Sequence, residues 1–188
     1  MFMKRVFDIF LSLCLISLLL LPTLAVMVLV RLTSNGPALY WSDRVGVGNK
    51  IFKMPKLRTM LMDTPQVATH LMQNSVTYLT PLGPFLRKYS LDELPQLWSV
   101  LKGDMSFVGP RPALFNQDDL IKLRTLKGVH ELVPGITGWA QINGRDDIPI
   151  PLKVVYDEYY LKNKSFLFDL KIIFITVIKV FRAEGVKY

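Results

Sequence analysis

Two adjacent carboxylates and an arginine between two prolines are the residues of this sequence best suited to chemistry. Asp92 and Glu93 lie in the segment Ser-Leu-Asp-Glu-Leu-Pro of residues 90–95, and Arg111 lies in the segment Gly-Pro-Arg-Pro of residues 109–112. An ionised carboxylate can attack phosphorus and form a covalent intermediate. An arginine restricted by flanking prolines binds phosphate with little orientational freedom to lose. The pattern therefore predicts a site for a phosphate-bearing ligand.

The two carboxylates predict a need for positive charge beside them. At a separation of about 4 Å their repulsion would be roughly 4 kcal/mol at an effective dielectric of 20, or about three pK units. A pair that close does not stay doubly ionised near neutral pH without a cation, and Mg²⁺ bound by oxygen ligands supplies one. We therefore expect Asp92 and Glu93 to bind Mg²⁺. Adjacent side chains can also diverge, and then only one of them is catalytic.

The same residues also fit a purely structural pattern. Ser90 and Glu93 match a capping box, in which the two side chains accept hydrogen bonds from backbone donors at a helix start. Pro95 argues against it, because a proline inside the helix loses a hydrogen bond, whereas a proline at the first helical position is favoured. We therefore expect a helix that begins at Pro95, with Asp92 and Glu93 just before its N-terminus, where the macrodipole favours ionised carboxylates.

Three further arginines are candidates for the same ligand. Arg87 precedes Asp92 by five residues, Arg145 follows an Asn-Gly turn, and Arg58 lies between the acid pair and an apolar, membrane-like run at residues 9–30. Each arginine alone is typical of a solvated surface. Together with the carboxylates and a membrane segment, they indicate a site for a phosphate-rich ligand.

An almost purely apolar run precedes these residues, from 9 to 30. About 22 residues at 1.5 Å per residue give roughly 33 Å, just enough to cross a hydrocarbon core of about 30 Å. Lys4 and Arg5 precede the run and Arg31 follows it, so both flanks favour the cytoplasmic side. A helix that bends at Pro22 and re-enters the same face fits this charge pattern, and a kinked spanning helix remains the alternative.

Composition narrows the class of partner. Lys and Arg number 23 and Asp and Glu 15, so the net charge is +8 and an anionic partner is expected. The basic residues are scattered and accompany no nucleic-acid motif, so we expect an anionic membrane surface and phosphate-bearing substrates and no nucleic acid. Cys14 is the single cysteine, which excludes a disulfide framework and a thiolate zinc site, and the isolated His70 and His130 are not expected to be metal ligands.

The remaining pattern predicts short elements around the candidate site. A hairpin is expected from strands at 38–41 and 51–54, and the region 60–78 is ambiguous between loop and short helix. Leu94, Leu97, Trp98 and Leu101 recur on one helix face, which we expect to be buried and closed by a Lys-Gly pair at 102–103.

Later helices are expected from an Asn116 cap to residue 127, from 151 to 160, and from a Ser165 cap over 166–181. The last is apolar over most of its surface, which fits either a core helix or a helix in the membrane interface, and we favour the interface. The fold class predicted is therefore mainly α with a small antiparallel β-hairpin. It comprises a re-entrant, proline-broken membrane helix in residues 1–33 and a compact catalytic domain in 34–188, with 165–182 as an interfacial helix.

Five segments together resemble the small monotopic phosphoglycosyl transferases, a family of bacterial sugar transferases. The resemblance covers nearly the whole chain in the expected order. The segments are Lys4-Arg-Val-Phe-Asp8, Phe52-Lys-Met-Pro-Lys-Leu-Arg-Thr-Met60, Leu91-Asp-Glu-Leu-Pro-Gln-Leu97, Leu101-Lys-Gly-Asp-Met-Ser-Phe-Val-Gly-Pro-Arg-Pro112, and Pro134-Gly-Ile-Thr-Gly-Trp-Ala-Gln141 with Asn143-Gly-Arg145.

The resemblance implies a specific reaction. Such enzymes transfer a sugar-1-phosphate from a UDP-sugar to undecaprenyl phosphate, release UMP and require Mg²⁺, which begins the assembly of a surface polysaccharide or glycoprotein. Asp92 matches the family nucleophile, which forms a covalent phosphosugar intermediate, and Glu93 matches its acidic partner. Arg111, and with it Arg87 and Arg145, match positions that contact phosphate, whereas Arg58 stands where a lysine is common.

The family also implies a re-entrant helix broken at a proline, at the cytoplasmic face of the bacterial inner membrane. Leu21 stands here where a serine often precedes that proline. Two alternatives remain: a non-catalytic membrane scaffold that binds polyprenyl phosphate, and a transferase that makes a glycosidic bond directly. The sequence selects no particular UDP-sugar and leaves a homodimer open.

Overall fold

Within residues 2–65, 75–144 and 148–182, which the computed structural model describes, the chain is mainly helical, as the sequence predicts. The helices are α1 (Phe2–Thr33), α2 (Gly83–Lys88), α3 (Leu97–Lys102), α4 (Asp118–Leu126), α5 (Trp139–Ile142), α6 (Ile150–Asn163) and α7 (Phe166–Phe181). The strands are β1 (Leu39–Val45), β2 (Ile51–Leu57), β3 (Ser106–Val108) and β4 (Gly135–Thr137). Single 3₁₀ turns lie at Val47–Asn49, Ser75–Tyr78, Leu91–Gln96 and Val129–Glu131.

The predicted hairpin is confirmed and is longer than expected. Strands β1 and β2 pair antiparallel, with a register from Leu39 opposite Leu57 to Val45 opposite Ile51. Met54 and Leu57 of β2 are buried in the core. Strand β2 also packs against the 3₁₀ turn Leu91–Gln96, so the hairpin supports the segment that carries the two adjacent carboxylates.

A second sheet was missed by the sequence analysis. Strands β3 and β4 form a parallel pair, and the loop that carries Arg111 directly follows β3. Beyond β3, Gly109 N–H donates to the Thr137 carbonyl at 2.9 Å, and Gly135 N–H donates to the Pro110 carbonyl at 2.9 Å. A Cβ at Gly109 or Gly135 would collide with the facing backbone, so the approach requires glycine on both sides. Strands of three residues carry too little periodicity for detection.

Among the described residues, one helix, α1, is long and apolar enough to cross a membrane. Only 6% of its most apolar stretch is buried, and the buried residues of the helix are Asp8, Ser12 and Val30. The helix continues through Pro22. The re-entrant path predicted from the sequence stays a prediction.

Both ends of α1 are bound to the rest of the chain by polar contacts. Near its start, the Lys4 ammonium donates to Asp169 at 2.6 Å and to the Val108 carbonyl at 2.9 Å, and Arg5 donates to two carbonyls at the end of α3. Past its end, the Arg58 guanidinium donates to the Ser34 hydroxyl at 2.8 Å and carbonyl at 2.9 Å. The apolar helix is therefore part of the domain.

Three local expectations need correction. Helix α3 begins at Leu97 rather than Pro95, and Trp98 is 53% exposed, so the predicted buried face is wrong at that position. The buried face carries Leu97 and Val100, because α3 packs on α1 and on β3. Asn116 does not cap α4, whose N-cap is Gln117.

The last two helices agree with the sequence more closely. Helix α6 extends the predicted segment to Ile150–Asn163, and Ser165 caps α7 by accepting a hydrogen bond from Phe168 N–H at 3.2 Å. Ile172 on one face of α7 is fully buried. Its other face exposes apolar side chains, namely Leu167, Phe174 and Val177. Helix α7 is therefore a surface helix with two apolar faces, of which the described residues cover one.

We expect Asp169→Asn to lower the free energy of unfolding by about 1–3 kcal/mol, since it leaves Lys4 without its carboxylate partner in a largely buried place. Thermal unfolding in detergent measures the loss. The matched control is Asp104→Asn, whose exposed pair with Lys102 should contribute less than about 1 kcal/mol. Equal losses in both variants would contradict the anchoring role of Asp169.

Candidate active site

The two acids lie in the 3₁₀ turn Leu91–Gln96, which follows Ser90 in a left-handed conformation with φ of 55°. Ser90 makes no capping hydrogen bond through its side chain, so the capping box considered for Ser90 and Glu93 is wrong. Pro95 lies inside this turn, whose looser bonding tolerates the missing N–H. The left-handed Ser90 turns the chain sharply between α2 and the acids, and a residue held in that conformation is typical of functional sites.

Glu93 is the centre of the ion pairs in this site. Its Oε1 accepts hydrogen bonds from the Lys56 ammonium at 3.0 Å and from Arg111 Nη2 at 2.9 Å. Lys56 comes from β2 and Arg111 from the loop after β3. One carboxylate oxygen therefore joins three segments that are distant in the sequence.

Lys56 was missed by the sequence analysis. It lies in the same motif as Arg58, the basic residue chosen there. Arg58 instead directs its guanidinium to the Ser34 hydroxyl and to the Ser34 and Asn35 carbonyls beyond the end of α1. Its phosphate-binding role stays a prediction, and the structure gives it a different set of partners. Lys56 could be identified only from the packing of β2 on the turn Leu91–Gln96, the acid-bearing turn, and tertiary structure alone provides that packing.

Asp92 is less tightly engaged than its neighbour. Its Oδ2 lies 3.9 Å from the Lys56 ammonium, a longer contact than the one Lys56 makes with Glu93. The residue is buried, with 8% of its surface exposed. Of the two acids, Asp92 is the one whose oxygen is not consumed by a short ion pair with this lysine.

The environment separates the pKa values of the two acids. Burial raises the pKa of Asp92, and the Glu93 charge adds to that increase, while Lys56, Arg87 and Arg111 oppose it only partly. Burial alone would also raise the pKa of Glu93, but the charges and hydrogen bonds of Arg111 and Lys56 together hold that pKa well below its usual range. Glu93 is thus fixed as an anion, whereas Asp92 is the more basic carboxylate.

The structure brings together four of the six predicted site residues. Asp92 and Glu93 lie beside Arg111, and the Arg87 charge acts on Asp92 while Arg87 Nε donates to the Thr59 hydroxyl at 3.0 Å. Arg145 lies outside the described residues. What the site offers is therefore a carboxylate pair with three cations, of which one is a lysine.

Asp92 and Glu93 fit a Mg²⁺ site only if a phosphate-bearing ligand supplies further oxygen atoms. Within residues 2–65, 75–144 and 148–182 there is no cluster of three or more acidic, histidine or cysteine side chains that could hold a metal. Mg²⁺ in proteins commonly takes one or two carboxylates and completes its shell with water and substrate phosphates. Asp92 and Glu93 match that donor set, but Lys56 and Arg111 already supply the positive charge that the sequence analysis assigned to the metal.

An apolar groove of about 240 Å³ begins beside the acid-bearing turn. Leu94 and Pro95, which directly follow the acids, form part of its wall. The groove then runs between α1 and the hairpin; its other lining residues include Ile16, Leu20, Thr23, Trp41 and Trp98. A charged site and an apolar groove that share one turn can accept a ligand with a phosphate head and a hydrocarbon chain.

Comparison with known proteins identifies a family and several similar proteins. A family model described as bacterial sugar transferase matches residues 1–183. The uncharacterized sugar transferase EpsL of Bacillus subtilis is 46% identical over all of this chain and 91% of its own length.

Two relatives have more specific names. The undecaprenyl-phosphate galactose phosphotransferase of Salmonella typhimurium is 36% identical over 98% of this chain and 41% of its own length. The UDP-glucose:undecaprenyl-phosphate glucose-1-phosphate transferase of Escherichia coli is 41% identical over 95% of this chain and 40% of its own length. The chain thus spans about two fifths of each of these two proteins.

We expect Glu93→Gln to lower the thermal unfolding midpoint at pH 7, because it leaves Lys56 and Arg111 without their shared anion. The pKa of Glu93 is depressed in the folded chain, so its stabilisation is present above the ordinary glutamate pKa of 4.5 and declines as the pH falls below it. The midpoints of wild type and variant should therefore converge in acid. Glu131→Gln, at an exposed position, is the control. A gap that stays constant from pH 7 down to about pH 2 would contradict the assignment.

Proposed function

The chain belongs to the bacterial sugar transferase family, and from this we propose that it transfers a sugar-1-phosphate from a UDP-sugar to undecaprenyl phosphate. The names of relatives support the two substrate classes: one names UDP-glucose and undecaprenyl phosphate, another undecaprenyl phosphate with galactose. The observation that carries the proposal is the contrast between Glu93, bound by two cations, and its neighbour Asp92, in a turn whose next residues line an apolar groove.

The nucleophile in this proposal is Asp92. An oxygen of its carboxylate attacks the β-phosphorus of the UDP-sugar, and the bond from that phosphorus to the bridging oxygen breaks, so that UMP leaves and a phosphosugar remains on Asp92. An oxygen of undecaprenyl phosphate then attacks the same phosphorus and releases the carboxylate. The raised pKa of Asp92 supports this role, because a more basic carboxylate is the better nucleophile once ionised.

The cations have a separate role from the acids. Arg111 and Lys56 are held at fixed positions by Glu93, and Arg87 is held by the Thr59 hydroxyl. A diphosphate that enters the site meets positive groups already in place, which stabilise the charge that develops on the phosphoryl oxygens. The role of Glu93 is to orient these groups. We include Arg145 as a further phosphate ligand on the family resemblance.

Mg²⁺ belongs to the proposal as a cation that binds with the donor substrate. Asp92 and Glu93 would hold it, and bound Mg²⁺ would supply charge neutralisation at the diphosphate. The three nearby cations disfavour a metal in the empty site, so metal affinity should rise when the diphosphate is present.

The acceptor enters from the apolar side. A polyprenyl chain is pure hydrocarbon and requires an apolar surface, which the groove between α1 and the hairpin offers. Trp41 and Trp98 on its rim are about half exposed, as is typical of aromatic side chains at a membrane surface. The lipid phosphate would then meet the phosphosugar on Asp92 at the mouth of the groove.

Membrane placement follows from the same contacts. The two ends of α1 hydrogen-bond to one domain, which supports a re-entrant helix with both ends at one face. The exposed apolar face of α7 supports a position for that helix in the membrane interface. Positive residues lie on both flanks of α1, and we therefore propose that the chain lies at the cytoplasmic face of the bacterial inner membrane.

Incubation with a panel of UDP-sugars and Mg²⁺, without lipid acceptor, should add one phosphosugar to Asp92 and release one UMP for each adduct. Mass spectrometry of the intact chain and of its peptides measures the adduct, and EDTA should suppress it. Asp92→Asn should abolish the adduct without lowering the unfolding midpoint, since burial already disfavours the charged form of Asp92. Asp104→Asn is the control. Lipid binding without UMP release from any UDP-sugar would favour the scaffold alternative and defeat the proposal.

We expect Thr23→Phe to raise KM for undecaprenyl phosphate by about 5- to 10-fold, or roughly 1–1.4 kcal/mol, because the ring fills the groove. Adduct formation from the UDP-sugar should be unchanged, because the donor half-reaction does not use the groove. Leu24→Phe, on the exposed side of α1, is the control. Equal damage to both half-reactions would show that the groove does not serve the acceptor.

A further inference from the structure

A buried arginine on α4 contacts the loop of the phosphate-binding arginine. Arg124 Nη1 donates to the main-chain carbonyl of Arg111 at 2.8 Å. The other donors of the same guanidinium, Nε and Nη2, both bind Asp157 Oδ2 on α6, at 2.9 and 2.7 Å. Arg124 and Asp157 are 7% and 1% exposed, so the pair lies within the protein.

Stability alone does not account for such a pair. Two charges removed from water lose much of their hydration, and a well-packed apolar pair of similar volume often stabilises a protein as well or better. What an apolar pair cannot supply is the third hydrogen bond, the one from Arg124 to the carbonyl of Arg111. The burial therefore points to a role in orientation.

The loop itself explains why a side chain is needed. Pro110 and Pro112 lack N–H donors, so this loop is fixed mainly through its carbonyls. Gly135 N–H holds the Pro110 carbonyl at 2.9 Å, and Arg44 Nη1 holds the Pro112 carbonyl at 3.2 Å. Arg124 holds the carbonyl between them. Three successive peptide oxygens thus have defined donors, and the central one belongs to the residue whose guanidinium binds Glu93.

We propose that Arg124, held in place by Asp157, is a positioning residue that fixes the Arg111 peptide so that its side chain meets Glu93 and the donor diphosphate. The proposal rests on the function proposed above. Displacement of a charged group by about 1 Å is enough to reduce the rate of a positioned reaction by about 100-fold. Without the bond from Arg124, the central carbonyl of the loop would lose its donor and the Arg111 peptide could rotate.

The test uses Arg124→Lys, which keeps a positive charge beside Asp157 but loses the planar fork that serves Asp157 and the Arg111 carbonyl together. We expect kcat/KM for the UDP-sugar to fall by about 10- to 100-fold, with UMP release as the assay. Asp157→Asn, which keeps the guanidinium, should have a smaller effect in the same direction and serves if the lysine variant does not fold. Glu158→Gln, next to Asp157 but paired with exposed Lys162 and Lys127, should leave the rate unchanged.

A double-mutant cycle separates positioning from general loss of structure. In an Arg111→Ala background, Arg124→Lys should change the residual rate and the affinity for a UDP-sugar less than twofold, because the group that it positions is gone. Independent, multiplicative effects would overturn the proposal, and so would full activity of Arg124→Lys.

Binding distinguishes this proposal from the one on which it rests. If the wild type binds UDP-sugars but releases no UMP, the proposed function fails, and the same cycle measured by titration of UDP-sugar affinity still decides the role of Arg124. If the wild type binds no UDP-sugar at all, both proposals are overturned.

Discussion

The shared ion pair of Glu93 with Lys56 and Arg111 is the interaction on which the candidate site depends. It joins strand β2, the acid-bearing turn and the loop after β3, which approach one another only in the folded chain. Because two cations hold the pKa of Glu93 low, this acid stays ionised and its charge is already paired. Its neighbour Asp92 shares the burial but not the short contacts, and the proposed function therefore gives Glu93 the orienting role and Asp92 the chemical one.

The same segments bind helix α1. Strand β2 carries Lys56 to the acids, and two residues later Arg58 binds the turn beyond the end of α1. Strand β3 leads into the loop of Arg111, and its Val108 carbonyl accepts a hydrogen bond from Lys4 near the start of α1. The position of the helix and the geometry of the acids are therefore set by shared strands. Under the proposed function, this connection brings the hydrocarbon side and the phosphate side of the reaction to one place.

Charge in the site is arranged by the chain before any ligand arrives. Lys56, Arg87 and Arg111 surround two carboxylates, and each of these cations has a partner that limits its movement. Groups oriented in advance need little reorganisation when a diphosphate binds, which is how electrostatic stabilisation becomes effective. Arg124, itself bound to Asp157, extends this order inward, since it donates to the main-chain carbonyl of Arg111.

Sequence alone determined the features that rest on local chemistry. The apolar run of α1, the hairpin, the Ser165 cap of α7 and the chemical suitability of Asp92, Glu93 and Arg111 all follow from residue types and short spacings, and the family motifs follow from the same letters. Tertiary structure alone decided which basic residue meets the acids. Lys56 and Arg58 are two residues apart and both cationic, and only the packing of β2 gives Lys56 to Glu93 and Arg58 to Ser34. The parallel β3–β4 pair and the bond from Arg124 to Arg111 were equally invisible, because contacts between distant segments leave no periodicity in the sequence.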